Sequence, residues 1–379
     1  MSSRLFSVDI LRGIAILGVL LSHCFPHEPV FRHLGESTPW FGFLGVILAQ
    51  GVHGVPLFFV ISGFCIHLSW ARRAADGAFG QPNFLEFWRK RLRRLYPAYF
   101  LVVCLGMTMV LVSWMLGRAH FYPIPKGPWI AVDFAAHATM LHGFHPLLDH
   151  GGGNPPLWSL AREEYLYLMY FVLLAGRRRI SIQTCTLAVM GLGLAFPRFA
   201  AFFIREDSPY HAIIRSSAVV LWIQWSLGAV AAEAYAGLIT LPPWCRSAWL
   251  VPIWFAAANL SRNSAIYGLR PILYGLAFFT LLNAAVTRET NGLAQKDRLL
   301  TLLANLGVIS FSVYLIHYPT IMALREVSNF IREPLSAGTA LVGWGLKALV
   351  SLFAALVLFH VVERRFLNAP VKFWSNREH

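Results

Sequence analysis

The sequence predicts an all-α fold, a polytopic integral membrane helical bundle of about ten transmembrane helices, each needing about 20 apolar residues. Three observations lead there. The 379 residues are 57% hydrophobic and only 13% charged, whereas a soluble domain is about half apolar and about a quarter charged. Mean hydropathy is +0.56. The apolar segments are long and lack the period-two alternation of barrel strands, so each must satisfy its backbone hydrogen bonds as a helix.

The predicted spans are 9–26, 43–70, 96–116, 157–175, 183–203, 213–236, 247–261, 266–287, 300–323 and 339–362. The first opens on Asp9-Ile10-Leu11-Arg12 and closes near His23. With no small-x-small cleavage site before Cys24, it reads as a retained helix rather than a leader. The second is long enough to tilt or break, with Gly51, Gly54, Pro56 and Gly63 inside it. The third follows a basic stretch, and the fourth opens on a cluster of charges. The seventh is the shortest. The longest connection, 117–156, carries His120, His137, His142, His145, His150 and three consecutive glycines. No repeat of fixed period is visible, and residues 1–379 read as one domain with no soluble domain appended.

The net charge of +14 follows membrane topology better than nucleic-acid binding. An even number of spans places both termini on one side, and the loops on that side hold most of the Lys and Arg, seven of them in 71–95. By the positive-inside rule the termini are cytoplasmic and the basic loops face membrane lipids. Cys24, Cys65, Cys104, Cys185 and Cys245 are scattered, with neither a disulfide framework nor metal spacing. His142-x2-His145-x4-His150 lacks the spacing of a helical metal site, and no metal ligand is assigned.

Ionisable side chains inside a membrane span are costly and mark functional sites. Asp9 and Arg12 are three residues apart and share a helix face. His23 returns to nearly that face about three turns on, roughly 16 Å along the axis. A stripe of this kind suits a charged ligand group near one surface and proton chemistry deeper in. His23 is a candidate general base, since imidazole titrates near 6.5; His317, in Ser310–Pro319 of the ninth span, is its rival. In Trp158-Ser159-Leu160-Ala161-Arg162-Glu163-Glu164 the carboxylates complement a helix start and Ser159 suits a cap. The functional alternative is that Glu163 or Glu164 orients the His23 ring. Ser62, in Gly54–Phe64, and Tyr314 are hydroxyl donors for an oxyanion, or simple packing residues. Arg89, Arg91 and Arg94 are either a lipid anchor or a phosphate clamp on the side of Arg12.

Together these pieces resemble the membrane acyltransferase 3 family. The matching residues are Asp9-x2-Arg12-x10-His23, Phe58–Phe64, Arg89-x-Arg91-x2-Arg94-x2-Pro97, Trp158-Ser159-Leu160-x2-Glu163-Glu164, Ser312-x-Tyr314-Leu315-x-His317-x-Pro319 and Glu363-Arg364. Each is weak alone; in this order over residues 9–365 they are specific. The resemblance implies transfer of an acyl group, usually acetyl, to a sugar hydroxyl of a surface polysaccharide, lipopolysaccharide or glycosylated small molecule. It implies a catalytic role for His23, with Arg12 and the acidic pair as the other family positions. Arg162 departs from the family, which usually has a small or apolar residue there; it would pair with a glutamate or bind an anionic acceptor.

The expected reaction uses acyl-CoA, with acetyl-CoA the usual form, as a substrate with no bound cofactor. Its phosphates meet Arg12 and some of Arg89, Arg91 and Arg94, and a carbohydrate or glycolipid arrives from the other side. A bacterial inner membrane fits the absence of an organelle-targeting signal. The other classes that fit intramembrane charges and interrupted helices are a multi-span transporter and a translocator that only passes the acyl group outward.

Overall fold

The structure, a computed structural model, describes residues 4–25, 28–116, 128–261, 267–293, 297–328, 336–367 and 373–374. Its described residues form helices and no strand. Residues 117–127 of the 117–156 connection, His120 among them, lie outside the described residues.

Helix α1 (Phe6–Cys24) runs from the end that carries the basic loops, the proximal end, to the opposite, distal end. Its first backbone N–H groups would be orphans; Glu289 accepts from Phe6 N at 2.9 Å and from Ser7 N at 2.8 Å. The expected second span lies within Pro39–Ala75, a single stretch long enough to cross a membrane that contains a short 3-10 turn. Helices α2 (Glu28–Ser37) and α3 (Pro39–Ala49) lie at the distal end, and a short 3-10 turn at Gln50–His53 leads into α4 (Gly54–Ala75).

Helix α5 (Phe84–Met115) starts twelve residues before the expected boundary at 96. Asn83 caps it by accepting from Glu86 N at 3.0 Å, and Lys90 reaches back to Glu86 at 2.6 Å. The cap and this (i, i+4) pair make the basic stretch helical.

The distal connection contains α6 (Pro128–Ala138) and α7 (Pro146–Asp149). The chain descends as α8 (Trp158–Arg177), rises as α9 (Ile182–Ala201), turns through α10 (Tyr210–Arg215) and descends again as α11 (Ala218–Tyr235). Then come α12 (Leu250–Leu260), α13 (Arg270–Thr290), α14 (Arg298–Val308), α15 (Ser310–Ser328) and α16 (Ala337–Val361).

Among the described residues seven helical stretches are long and apolar enough to cross a membrane, or eight if α14 and α15 form one span. Helices α8 and α12 occupy the other two expected positions. The first carries too many charges to pass on hydropathy, and the second is only 11 residues long. The expected 300–323 span bends by 75° between α14 and α15. Helix α14 lies hard against α1 there, since a Cβ on Gly307 would sit 1.9 Å from the Asp9 carbonyl oxygen.

Two large buried clusters build the bundle, beside a small third one of Leu34, Phe41, Ala337 and Ala340. One joins α4, α8, α11 and α13 around Phe64, Tyr170 and Trp225. The other joins α1, α5, α15 and α16 around Ile16, Leu20, Tyr99 and Phe359. Helices α4 and α11 cross so closely that a Cβ on Gly63 would meet the Trp225 carbonyl oxygen at 1.9 Å. Small residues permit such approach between membrane helices. Val342, Leu346, Leu349, Phe353 and Val357 repeat along one exposed face of α16, a stripe suited to lipid. The side chains of Val55, Phe58, Tyr165 and Phe311 touch both clusters, and the cavities described next lie along that seam.

Candidate active site

The larger cavity, about 750 Å³, opens at the distal end. His23, His53, Trp158, Tyr314 and Tyr318 line it, together with Arg198, Arg215 and Arg270. His23 stands near the end of α1, where α15 brings up His317. The two rings stack with centroids 5.1 Å apart, and His317 Nε2 is 3.1 Å from His23 Nδ1. His317 Nδ1 lies 3.1 Å from the Val313 carbonyl and 2.8 Å from that of Tyr314. A carbonyl only accepts, so Nδ1 of His317 carries the proton and its Nε2 is left with a lone pair. His23 then donates from Nδ1 to that lone pair and keeps its own Nε2 unprotonated. His317 is fully buried, so the pair is held rather than solvated.

The smaller cavity, about 240 Å³, lies on the proximal side. Arg12, Arg91 and Arg94 line it with Ser62, Cys65, Glu163, Tyr167 and Glu363. Arg12 points Nη2 at Cys65 Sγ, 3.5 Å away. Glu163 accepts from Ser62 Oγ at 2.7 Å and from Tyr167 OH at 2.5 Å. Val55, Phe59 and Tyr314 line both cavities and form the wall between them. In that wall the Tyr314 hydroxyl donates to the Pro156 carbonyl and accepts from Ser159 Oγ, both at 2.5 Å.

Several expectations change. Glu163 and Glu164 do not touch His23; the partner of its ring is His317. The carboxylates sit more than a turn into α8, and Glu163 is turned to the smaller cavity. Glu164 is buried beside it, and its Oε2 has no hydrogen-bond partner among the described residues. Ser159 does not cap α8, because its hydroxyl is engaged with Tyr314. Arg89 is exposed and outside the cavity that Arg91 and Arg94 line; three residues apart, those two share a helix face that Arg89 does not. The hydroxyl protons of Ser62 and Tyr314 are already committed to Glu163 and Pro156, so neither stands ready to meet an oxyanion. Arg162 meets no glutamate. It pairs with Asp149 at 2.8 Å and donates from Nε to the Ser216 carbonyl at 3.0 Å, tying the distal connection to α8 and to the α10–α11 turn. Asp9 sits at the proximal end, 2.5 Å from Arg4 Nε, 3.7 Å from Arg12 Nη1 and 3.0 Å from Trp374 Nε1. It holds together the two ends of the described chain and lines neither cavity. Trp158 does stand in the cavity of His23.

Other functional groups had little signal in sequence. His53 stacks on Tyr274 with centroids 4.3 Å apart and reaches its hydroxyl at 3.0 Å. Arg177 binds both oxygens of the buried Glu233, at 2.7 and 2.9 Å, and His67 approaches the same carboxylate at 3.1 Å. This triad, with His67 and Glu233 buried and Arg177 partly exposed, joins α4, α8 and α11. The histidines of the distal connection also have work: His137 faces Asp133 at 2.9 Å and stacks on His142, centroids 3.9 Å apart. Burial, reinforced by His137, pushes His142 down to about 3.

The chain is similar in sequence to several known proteins. The O-acetyltransferase OatA of Staphylococcus aureus is 22% identical over 383 residues, covering 96% of this chain and 57% of OatA. The acyltransferase MdmB of Streptomyces mycarofaciens is 24% identical over 332 residues, 84% of this chain and 79% of MdmB. The regulator of hypoxia-inducible factor 1 of Caenorhabditis elegans is 26% identical over 179 residues, 44% of this chain and 34% of that protein. The chain thus spans little more than half the length of OatA. No solved structure matches it. The acyltransferase 3 family model, described as an acyltransferase domain, matches residues 5–362, from the start of α1 to the end of α16. A polytopic helical chain with paired cavities and the ordered residues Arg12, His23, Glu163, Glu164 and His317, it belongs to the acyltransferase 3 family.

Proposed function

We propose that this protein is a membrane O-acyltransferase that moves an acetyl or similar acyl group from acyl-CoA to a hydroxyl of a carbohydrate. The observation that carries this reading is the placement of His23, backed by the buried His317, on the distal cavity, with Val55, Phe59 and Tyr314 separating it from a second cavity lined by three arginines. Two substrates that approach from opposite ends meet at that wall.

In this reading the proximal end faces the cytoplasm of a bacterial inner membrane. Arg12, Arg91 and Arg94 hold donor phosphates, for which guanidinium forks are suited. The pantetheine arm extends towards the wall at Tyr314, following the roughly 16 Å of α1 that separate Arg12 from His23. The acceptor hydroxyl enters the distal cavity beside Trp158. His23 Nε2 takes the hydroxyl proton as the oxygen attacks the thioester carbonyl. The tetrahedral intermediate collapses, the C–S bond breaks, and the imidazolium returns the proton to the departing CoA thiolate. His317 is a positioning residue: it fixes the tautomer that leaves Nε2 of His23 able to accept.

Membranes carrying the protein, labelled acetyl-CoA and a carbohydrate acceptor provide the test. Label should enter the glycan with the parent and be lost in His23→Ala. Full transfer by His23→Ala would reject the mechanism. Uptake of an acceptor without dependence on acyl-CoA would identify a transporter. Acyl-CoA consumption with the label delivered to a separate soluble transferase would identify a translocator.

A further inference from the structure

The distal cavity has a charge pattern that proton transfer to His23 does not require. Arg198 on α9, Arg215 on α10 and Arg270 on α13 line it, and no Asp or Glu is among its described lining residues. The three come from separate elements and face one space. Arg198 and Arg215 are exposed at the rim, while Arg270 is half-buried beside Tyr274, whose hydroxyl lies 3.4 Å from its Nη2. The Arg198 guanidinium lies within 3.5 Å of the place a Cβ on Gly268 would occupy, two residues from Arg270. Arg198 Nη1 also donates to the Leu194 carbonyl at 2.7 Å and Arg270 Nε to that of Ala258 at 3.2 Å, but three guanidinium charges facing one space still repel one another, and a bound anion relieves that repulsion. Arginine is well matched to carboxylate and phosphate because its planar fork binds two oxygens at once. Trp158 and Tyr274 add aromatic surface to the same cavity.

We infer that Arg198, Arg215 and Arg270 select an acceptor glycan that carries an anionic group, a carboxylate or a phosphate, close to the hydroxyl offered to His23. This rests on the acyltransferase reading of the distal cavity and adds the chemical class of the acceptor. The anion seats at the arginines, the sugar ring lies along the aromatic side chains, and the reacting hydroxyl turns inward. A neutral sugar forfeits the first of these contacts.

Equilibrium binding to the purified full chain tests this with three labelled probes: cellotetraose, its C6-oxidised tetraglucuronate, and a phosphorylated cellotetraose. The parent should bind at least one charged probe about tenfold more tightly than the neutral one, equal to about 1.4 kcal/mol. Arg270→Ala and the Arg198→Ala/Arg215→Ala pair should each remove most of that preference, Arg270→Lys should restore part of it, and none should change binding of cellotetraose. Equal binding of all three probes by the parent, or a preference that survives the triple alanine variant, overturns the inference. Whichever charged probe binds more tightly identifies carboxylate or phosphate as the source. The acetyl-CoA label assay is scored separately. Label transfer without an anionic preference rejects only this inference, whereas an anionic preference without His23-dependent transfer rejects the enzymatic reading and keeps the site.

Discussion

His317 Nε2 lies 3.1 Å from His23 Nδ1, although 294 residues separate them in the chain. The two carbonyls on the far side of His317 set the proton pattern of the pair, so an imidazole rather than a carboxylate orients the candidate base. Removing either ring should therefore harm transfer in different ways. His23→Ala should lower kcat by about 10²-fold or more. His317→Ala should lower kcat with little change in KM for acetyl-CoA, and His317→Gln should retain more activity, since its amide oxygen can accept from His23. Wild-type kcat in His317→Ala, measured by label transfer, would remove the positioning role.

The arginines divide by helix face. Arg91→Ala and Arg94→Ala should each raise KM for the acyl-CoA donor about tenfold, the scale of one lost charge-assisted contact. Arg89→Ala should stay within about twofold, because its side chain is exposed and outside the cavity. A donor KM that responds to Arg89 and not to Arg94 would move the donor site to the surface.

Arg162 is predicted to act on stability. Its charge is buried, and its removal leaves Asp149 buried without its 2.8 Å partner. Breaking such a pair from one side costs about 3–5 kcal/mol. Arg162→Ala should lower the unfolding temperature in detergent markedly, and Arg162→Ala/Asp149→Ala should recover part of the loss. Equal losses in the single and double variants would show that the charge pair is not the cause.

His142 adds an acid-sensitive element to the distal connection. Its folded value of about 3 lies below the ordinary 6.5 because it is buried beside His137. The unfolded chain therefore takes up a proton as pH falls below 6.5 that the folded protein does not. Its contribution to stability is full above that value and declines towards pH 3, by at most about 1.4 kcal/mol per pH unit. Unfolding temperatures at pH 7 and pH 5 should differ less in His142→Asn than in the parent; an unchanged difference would assign the acid sensitivity elsewhere.

Gly63 tests the packing of α4 on α11. Its missing Cβ leaves room for the Trp225 carbonyl, and Gly63→Ala would bring a methyl carbon to 1.9 Å from that oxygen. The helices must separate, so folded yield should fall and unfolding should come at a lower temperature. An unaltered variant would mean that this crossing is looser than described.

The membrane-bundle class was legible because the bilayer imposes it: the length and polarity of a span are one-dimensional properties of a chain. The cost of charge in lipid likewise picked out Arg12, His23, Glu163, Glu164 and His317 before any packing was known. The 3-10 turn before α4 was foreshadowed by Gly51, Gly54 and Pro56, but the start of α5 was missed because its basic turns read as loop.

What only the tertiary structure decided is which of these groups meet. Hydropathy gives a helix approximate depth but neither its rotation nor its neighbours, so Glu163 seemed level with His23 and instead faces Ser62 and Tyr167. Arg198, Arg215 and Arg270 are far apart in the chain, and only the packing of α9, α10 and α13 gathers them around one cavity. By itself the sequence determined that the chain is a membrane helical bundle and which ionisable residues it keeps there, because burial in lipid penalises each residue separately. The His23–His317 pair and the two cavities depend on close packing between distant segments, and that packing exists only in three dimensions.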